Sequence, residues 1–248
     1  MTLDRPRPRV VTPSHKPPGV LRAELDAVAL PRPDRQVGAR HRRLGRLLAF
    51  EAERRGAARV AVVDHYMWAM DSPGQQAYWR LCMQEGVEPR PYHETEFWHP
   101  DTLPGMRGFE LAREARGSAV EAIVEDFVTL DVAALGRWDV VLYLGVLYHM
   151  EDPLRALRRV AAVTRELAVV ETEAVAIAAL EHEALWRFFP GADQRRRLEL
   201  VGAEPVGLGG ALTAAGFAAA DAKLGPSAEL LAGGDGPHHY RAVVHAVR

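Results

Sequence analysis

The chain has 248 residues, of which 48% are hydrophobic and 26% charged, and its formal net charge at pH 7 is −2. This balance is typical of a globular protein in water, and the lack of a basic excess argues against a DNA partner. No apolar run reaches the roughly 20 residues that span a bilayer, and no signal-peptide core stands at the N-terminus, so we expect a cytoplasmic protein without a membrane partner. Cys82 is the single cysteine, which excludes an internal disulfide and a cysteine-based zinc site, and we expect no metal.

Residues 1–35 are rich in proline and arginine and have little periodicity. This composition predicts an N-terminal extension with a short helix near residues 21–30. A second basic cluster, between Arg40 and Arg46, precedes a predicted helix. We interpret both basic clusters as solvated faces, with contact to RNA or phosphate as the alternative.

From residue 36 onwards, predicted helices and buried strands alternate. Apolar residues at helical spacing predict helices at 44–56, 109–116, 153–164 and 210–215. Short apolar runs predict strands at 59–64, 120–124, 138–144, 167–171, 217–224 and 241–247. The long aromatic-rich segment 66–108 is interpreted as an insertion or cap. This alternation predicts an α/β domain over residues 36–248, with a mostly parallel sheet that helices cover on both faces.

Candidate functional residues follow the predicted strands, because ligands of such sheets bind at the carboxyl ends of the strands. Asp64 ends one strand and can accept both hydroxyls of a ribose, whereas Glu125 and Asp126 follow the next and could accept an adenine amine. The alternative for each acid is a solvated turn residue. Gly145 follows a third strand and would let a ligand approach the backbone.

Tyr148 and His149 stand beside Gly145. Both side chains can donate and accept hydrogen bonds, and histidine has a suitable pKa for proton transfer near neutral pH. They are the candidate catalytic residues, for orienting an acceptor or removing its proton.

The run WDVVLYLGVLYHMEDPLRALRRVAAVTRELAVVETEA, residues 138–174, resembles the class I S-adenosylmethionine-dependent methyltransferases related to the tRNA wobble-uridine carboxymethyltransferase. The resemblance extends to FEAERRGAARVAVVDHYMW at residues 50–68, to ALWRFFPGA at 184–192 and to RAVVHA at 241–246. It implies a Rossmann-like, doubly wound, seven-stranded methyltransferase sheet and S-adenosylmethionine as cofactor. The acceptor would be a small molecule or a tRNA base.

The resemblance also assigns residues. Those that would contact the cofactor are Asp64, His65, Glu125, Asp126, Leu144, Gly145 and Tyr148. Arg241 and Trp68 are candidate substrate-binding residues. Arg241 aligns with an arginine that meets the carboxylate of carboxy-S-adenosylmethionine in the wobble-uridine enzymes, but their lysine and tryptophan ligands have no counterpart here. The carboxylated cofactor is therefore the less favoured choice.

Two segments depart from the family. Related enzymes have an acidic strand end and a Gly-x-x-x-Gly turn before the Phe-Glu-Ala-Glu run, whereas residues 36–46 here read QVGARHRRLGR. Such a composition argues against a buried strand, because arginine side chains would lose their hydration. Residues 194–206 replace a second family run. We hypothesise that both segments result from compensated frameshifts in the gene.

Two other functions could use the same fold instead of methyl transfer. The arginines between residues 40 and 46 favour a degenerate, non-catalytic methyltransferase-fold protein with a disrupted cofactor loop. A nucleotide-dependent oxidoreductase is disfavoured, because no Gly-x-Gly-x-x-Gly motif joins a strand to a helix.

Two features of the insertion suggest a function but are explained more simply by structure. His93, Glu94, Glu96 and His99 fit no standard metal-site spacing, so a polar loop is preferred. Nearby aromatic residues could stack on a substrate ring, although packing of the cap is the commoner role; they are Trp68, Tyr78, Trp79, Phe97 and Trp98.

Overall fold

The structure is a computed structural model that describes residues 37–40, 44–177, 180, 183–188, 201–203, 205–232 and 236–248. The predicted N-terminal extension, and most of the second departing segment, lie outside the described residues. Within the described part, no helix is long and apolar enough to cross a bilayer.

Among the described residues, nine strands form one sheet. The strands are β1 (Val37–Arg40), β2 (Val60–Val63), β3 (Glu121–Ile123), β4 (Trp138–Leu144), β5 (Thr164–Ala176), β6 (Trp186–Phe188), β7 (Val201–Ala203), β8 (Ala219–Leu224) and β9 (His238–Val247). The helices are α1 (Leu44–Arg54), α2 (Tyr66–Ala69), α3 (Ser72–Glu85), α4 (Arg107–Arg116), α5 (Val132–Leu135), α6 (Pro153–Val163), α7 (Pro205–Ala214) and α8 (Ala228–Leu231). Three 3-10 turns cover Tyr92–Glu94, Pro104–Met106 and Leu147–His149.

The sheet has a parallel half and an antiparallel edge. Strands β3, β2, β1, β4 and β5 lie side by side in that order, and all of these neighbours are parallel. β9 pairs antiparallel with β5 and with β8. The seven-stranded prediction is corrected to nine strands, because β6 and β7 form an additional antiparallel pair that joins β5 where Ala174 faces Ala203.

Strand β1 corrects the expectation that residues 36–46 contain no buried strand. It lies between β2 and β4, with Val37 opposite both Val60 and Val140. The composition of the whole segment misled the prediction, because only four residues are in the strand and three of them are small or apolar. Of the arginines in the described part of this segment, Arg40 is the last residue of the strand and Arg46 lies in helix α1.

Helices cover both faces of the sheet, as predicted. In β4, Val141 and Tyr143 pack in one hydrophobic cluster with α6 and α7, whereas Val140, Leu142 and Leu144 pack in a second cluster with α1 and α4. Successive residues of a strand point to opposite faces, so a continuous apolar strand fills two cores at once. The uninterrupted run of β4 follows directly from this arrangement.

The segment between β2 and β3, which the sequence predicts to be an insertion or cap, contains helices α2 and α3. Asp71 caps the start of α3, and Gly86, with φ of 67°, ends this helix. Within this segment, an antiparallel bridge joins Met70 to Trp98, and Gly105 packs closely against the backbone of Met67. A Cβ atom on Gly105 would lie 1.9 Å from the carbonyl oxygen of Met67, so only glycine fits there.

We predict that Gly105→Ala and Gly108→Ala change stability in opposite directions. The first forces the backbone near Met67 to shift and should lower the free energy of unfolding by about 2 kcal/mol or more. The second meets no atom within 4 Å in helix α4 and should raise it by about 0.5 kcal/mol. Urea unfolding of both variants measures the difference, and equal effects would contradict the tight contact at Gly105.

Candidate functional site

The carboxyl ends of the parallel strands meet at one edge of the sheet and bring the predicted site residues to it. Asp64 follows β2, Asp126 follows β3, and Gly145 follows β4. The backbone N–H of Asp64 donates to Ile123 O at 3.1 Å, which joins the ends of β2 and β3. The backbone N–H of Gly145 donates to Glu171 O at 2.8 Å, which joins the ends of β4 and β5.

Asp64 is held in a defined position at the end of β2. Its side chain is buried, with a relative exposure of 8%, and Oδ1 accepts a hydrogen bond from the backbone N–H of Met67 at 3.0 Å. This bond fixes the carboxylate at the start of helix α2, as an acid does at a helix N-terminus. The strand end predicted from the sequence thus carries an oriented carboxylate.

The two acids after β3 differ in their surroundings. Glu125 is exposed, whereas Asp126 is partly buried. Asp126 Oδ1 accepts a hydrogen bond from the backbone N–H of Val128 at 2.9 Å, and its carbonyl oxygen accepts from Leu130 at 2.8 Å. Asp126 therefore organises the turn that follows β3.

An aromatic cluster from the cap lies beside these acids. It consists of His65, Tyr66, Tyr92 and Trp98, with the ring centroids of Tyr66 and Tyr92 4.7 Å apart and those of Tyr92 and Trp98 4.9 Å apart. The His65 ring meets Trp98 edge-on at 5.2 Å. Burial raises the pKa of Tyr92, and the negative charge of Asp126, which follows β3, raises it further.

Trp98 and His65 of this cluster were singled out from the sequence, but Tyr66 and Tyr92 were not identified. The only signal was the aromatic richness of the segment. Contacts between residues so far apart in the chain depend on how the cap folds, and periodicity carries no such information.

The end of β4 holds the candidate catalytic residues. Gly145 has φ of 63°, a conformation that favours glycine, and the chain then enters the 3-10 turn that carries Tyr148 and His149. The rings of these two residues are 4.0 Å apart. Leu144 is fully buried in the second hydrophobic cluster, so its side chain contacts the core.

Arg241 on β9 joins this turn to the end of β5. Its Nε lies 2.7 Å from Glu171 Oε1 and its Nη1 lies 3.4 Å from Glu173 Oε2, while Nη2 donates to the Tyr148 hydroxyl at 3.4 Å. Its guanidinium carbon lies 4.8 Å from the centre of the Tyr148 ring. Burial alone would lower the pKa of Arg241, but attraction to Glu171, followed by Tyr148 and Glu173, outweighs it and raises the pKa.

Trp68 is corrected from a candidate substrate-binding residue to a core residue. Its side chain is 0% exposed and packs against Phe109, with the ring centroids 5.6 Å apart. The sequence could not separate these roles, because a tryptophan near a strand end suits both. The insertion's His93 and Glu94 are exposed, and the described residues contain no group of three or more potential metal ligands.

No protein-family model matches the sequence, and no curated protein matches it significantly. The fold matches solved structures, among them that of a methyltransferase. The N-terminal domain of EvdMO1 with SAH bound has a TM-score of 0.55 at 19% identity, over 95% of this chain and 82% of that one. Magnesium protoporphyrin IX methyltransferase (ChlM) from Synechocystis PCC 6803 with bound SAH has a TM-score of 0.50 at 16% identity, over 93% and 80%.

These matches show the fold. The chain has the α/β fold of the class I methyltransferases. It spans only 40% of the length of full-length EvdMO1, which it matches with a TM-score of 0.51.

We predict that Trp68→Ala lowers the free energy of unfolding by about 3 to 5 kcal/mol, because it removes a fully buried ring from the core. Trp98→Ala, which removes a partly buried ring of the cap, should cost clearly less. Chemical denaturation followed by circular dichroism compares the two. A small loss of unfolding free energy in Trp68→Ala would contradict the core role of Trp68 and make it a candidate ligand contact again.

Proposed function

We propose that this protein is an S-adenosylmethionine-dependent methyltransferase that acts on a small molecule or a tRNA base. The observation that carries the proposal is the oriented carboxylate of Asp64 at the end of β2, at the ligand-binding edge of a methyltransferase-type sheet. The N-terminal domain of EvdMO1, which has a similar fold, was solved with SAH bound. The methyltransferase domain would comprise residues 36–248, with residues 66–108 as its cap.

The residues at this edge fit the adenosine part of such a cofactor. A buried carboxylate suits the two ribose hydroxyls, and Asp126 with the aromatic cluster suits an adenine, which has both a donor amine and a flat ring. His65 directly follows Asp64, and Glu125 directly precedes Asp126. When bound, S-adenosylmethionine supplies a methyl group on a positively charged sulfur.

The other end of the site suits the acceptor. Gly145 lets a ligand approach the backbone of the β4 end, and Tyr148 and His149 would orient the acceptor or take its proton. Tyr148 is also a candidate contact of the cofactor. Most of the rate acceleration would come from holding the two reactants in line.

S-adenosylmethionine is preferred over its carboxylated analogue. Arg241, the residue that would meet the extra carboxylate, already contacts Glu171 and Glu173. An added carboxylate would have to compete with these two for the guanidinium group. The preference therefore rests on this chain's own ion pairs.

The proposal predicts that the chain binds S-adenosylmethionine with micromolar affinity and that Asp64→Ala weakens binding at least about tenfold, through loss of hydrogen bonds to a charged acceptor. Isothermal titration calorimetry measures both. Glu114→Ala, at an exposed position of helix α4, is the matched control and should bind like the parent chain. A folded chain that binds neither S-adenosylmethionine nor SAH would favour the non-catalytic alternative.

The frameshift hypothesis predicts that the codons for residues 37–46 and 196–206 encode the two family runs when read one nucleotide forward. The gene's DNA sequence across both segments tests this. Codons that cannot encode either run would eliminate the hypothesis. If they do encode both, the chain with the restored runs should bind S-adenosylmethionine more tightly than this one.

A further inference from the structure

We propose that Arg241 is a positioning residue, which fixes the ring of Tyr148 and turns its hydroxyl into a hydrogen-bond donor toward bound S-adenosylmethionine. The proposal rests on the proposed function for the identity of the ligand. It assigns Arg241 a different role from contact with substrate. The contacts of Arg241, Glu171 and Tyr148 carry it.

Two carboxylates on β5 hold Arg241 in place. Glu171 is only 1% exposed, and its carboxylate lies 2.7 Å from the Nε of Arg241. The β5–β9 ladder sets Arg241 opposite Glu173, which contacts Nη1. A guanidinium held by two carboxylates on a sheet has little freedom to follow a mobile ligand.

Glu171 also links Arg241 to the end of β4. The carbonyl oxygen of Glu171 accepts the backbone N–H of Gly145, while its side chain contacts Arg241. One residue therefore anchors both the chain that leads into Tyr148 and the guanidinium that lies over the Tyr148 ring. The position of the phenol is set from two directions.

The chemistry of the guanidinium group fixes the direction of the hydrogen bond between Arg241 and Tyr148. A guanidinium group has five N–H donors and no acceptor, so the Tyr148 oxygen must accept in its contact with Nη2. The phenol's own proton then points away from Arg241. A neutral Tyr148 is therefore presented as a donor, and its ligand must offer a lone pair on oxygen or nitrogen. Proton removal from the acceptor is left to His149.

The first test needs no ligand. The six tyrosines are replaced by 3-fluorotyrosine and followed by fluorine NMR, with Tyr148→Phe identifying the Tyr148 signal. Arg241→Lys should shift and broaden this signal, because lysine keeps the charge but lacks the planar fork. Glu171→Gln should do the same although it acts through Arg241. An unchanged Tyr148 signal in both variants would overturn the proposal, and Glu114→Gln is the control.

The second test is a double-mutant cycle on S-adenosylmethionine binding. Tyr148→Phe should weaken binding about three- to tenfold, as expected for one lost hydrogen bond. Arg241→Lys should weaken it by a similar factor, and the double variant should be no weaker than Tyr148→Phe alone. Additive losses would mean that Arg241 contacts the ligand itself, and no loss in Tyr148→Phe would remove the donor role.

The two tests separate this inference from the proposed function. A parent chain that fails to bind S-adenosylmethionine contradicts the proposed function, while the NMR experiment still decides whether Arg241 positions Tyr148. Binding by the parent chain with an additive cycle contradicts the inference alone. Melting temperatures of the variants show whether any loss of binding reflects unfolding.

Discussion

The sheet depends on the backbone pairing of β1 with both β2 and β4. This four-residue strand joins the half of the sheet that carries Asp64 and Asp126 to the half that carries Tyr148 and Arg241. Parallel neighbours on both sides supply hydrogen-bond partners to the backbone of β1. Because of this strand, the ends of β2 and β4 lie at the same edge of one sheet, separated by a single strand.

The candidate site has two ends with different chemistry. At one end, the carboxylate of Asp64, the turn of Asp126 and the aromatic cluster of the cap combine acceptors with flat rings. At the other end, Arg241, Glu171 and Tyr148 form a group of buried or partly buried polar side chains that hold one another in place. The first end suits recognition of a nucleoside, and the second suits orientation of a reacting group.

Apolar runs predicted the fold where burial on both faces left a clear pattern. The limits of β4 follow from its run WDVVLYL, and helix α6 follows from the stripe formed by Leu157 and Val160. Helix α3 was missed because it buries only Gln75 and Cys82, so it shows no apolar stripe. Strand β5 continues to Ala176, beyond its predicted end, because Glu171 and Glu173 pair with Arg241 on the neighbouring strand β9.

The site was predictable only in part, because local sequence does not show which strands become neighbours. Residues that directly follow a strand, such as Asp64 and Tyr148, are placed by the strand, so local sequence locates them. Arg241, by contrast, acquires its role from partners on other strands. Its contacts with Glu171 and Tyr148 arise because β9 runs antiparallel beside β5, while β4 lies on the other side of β5. The charge of Arg241 is balanced by two glutamates on the adjacent strand, and its Nη2 is left to contact Tyr148. The antiparallel edge of the sheet thus contributes to the site through contacts between residues that are far apart in the sequence.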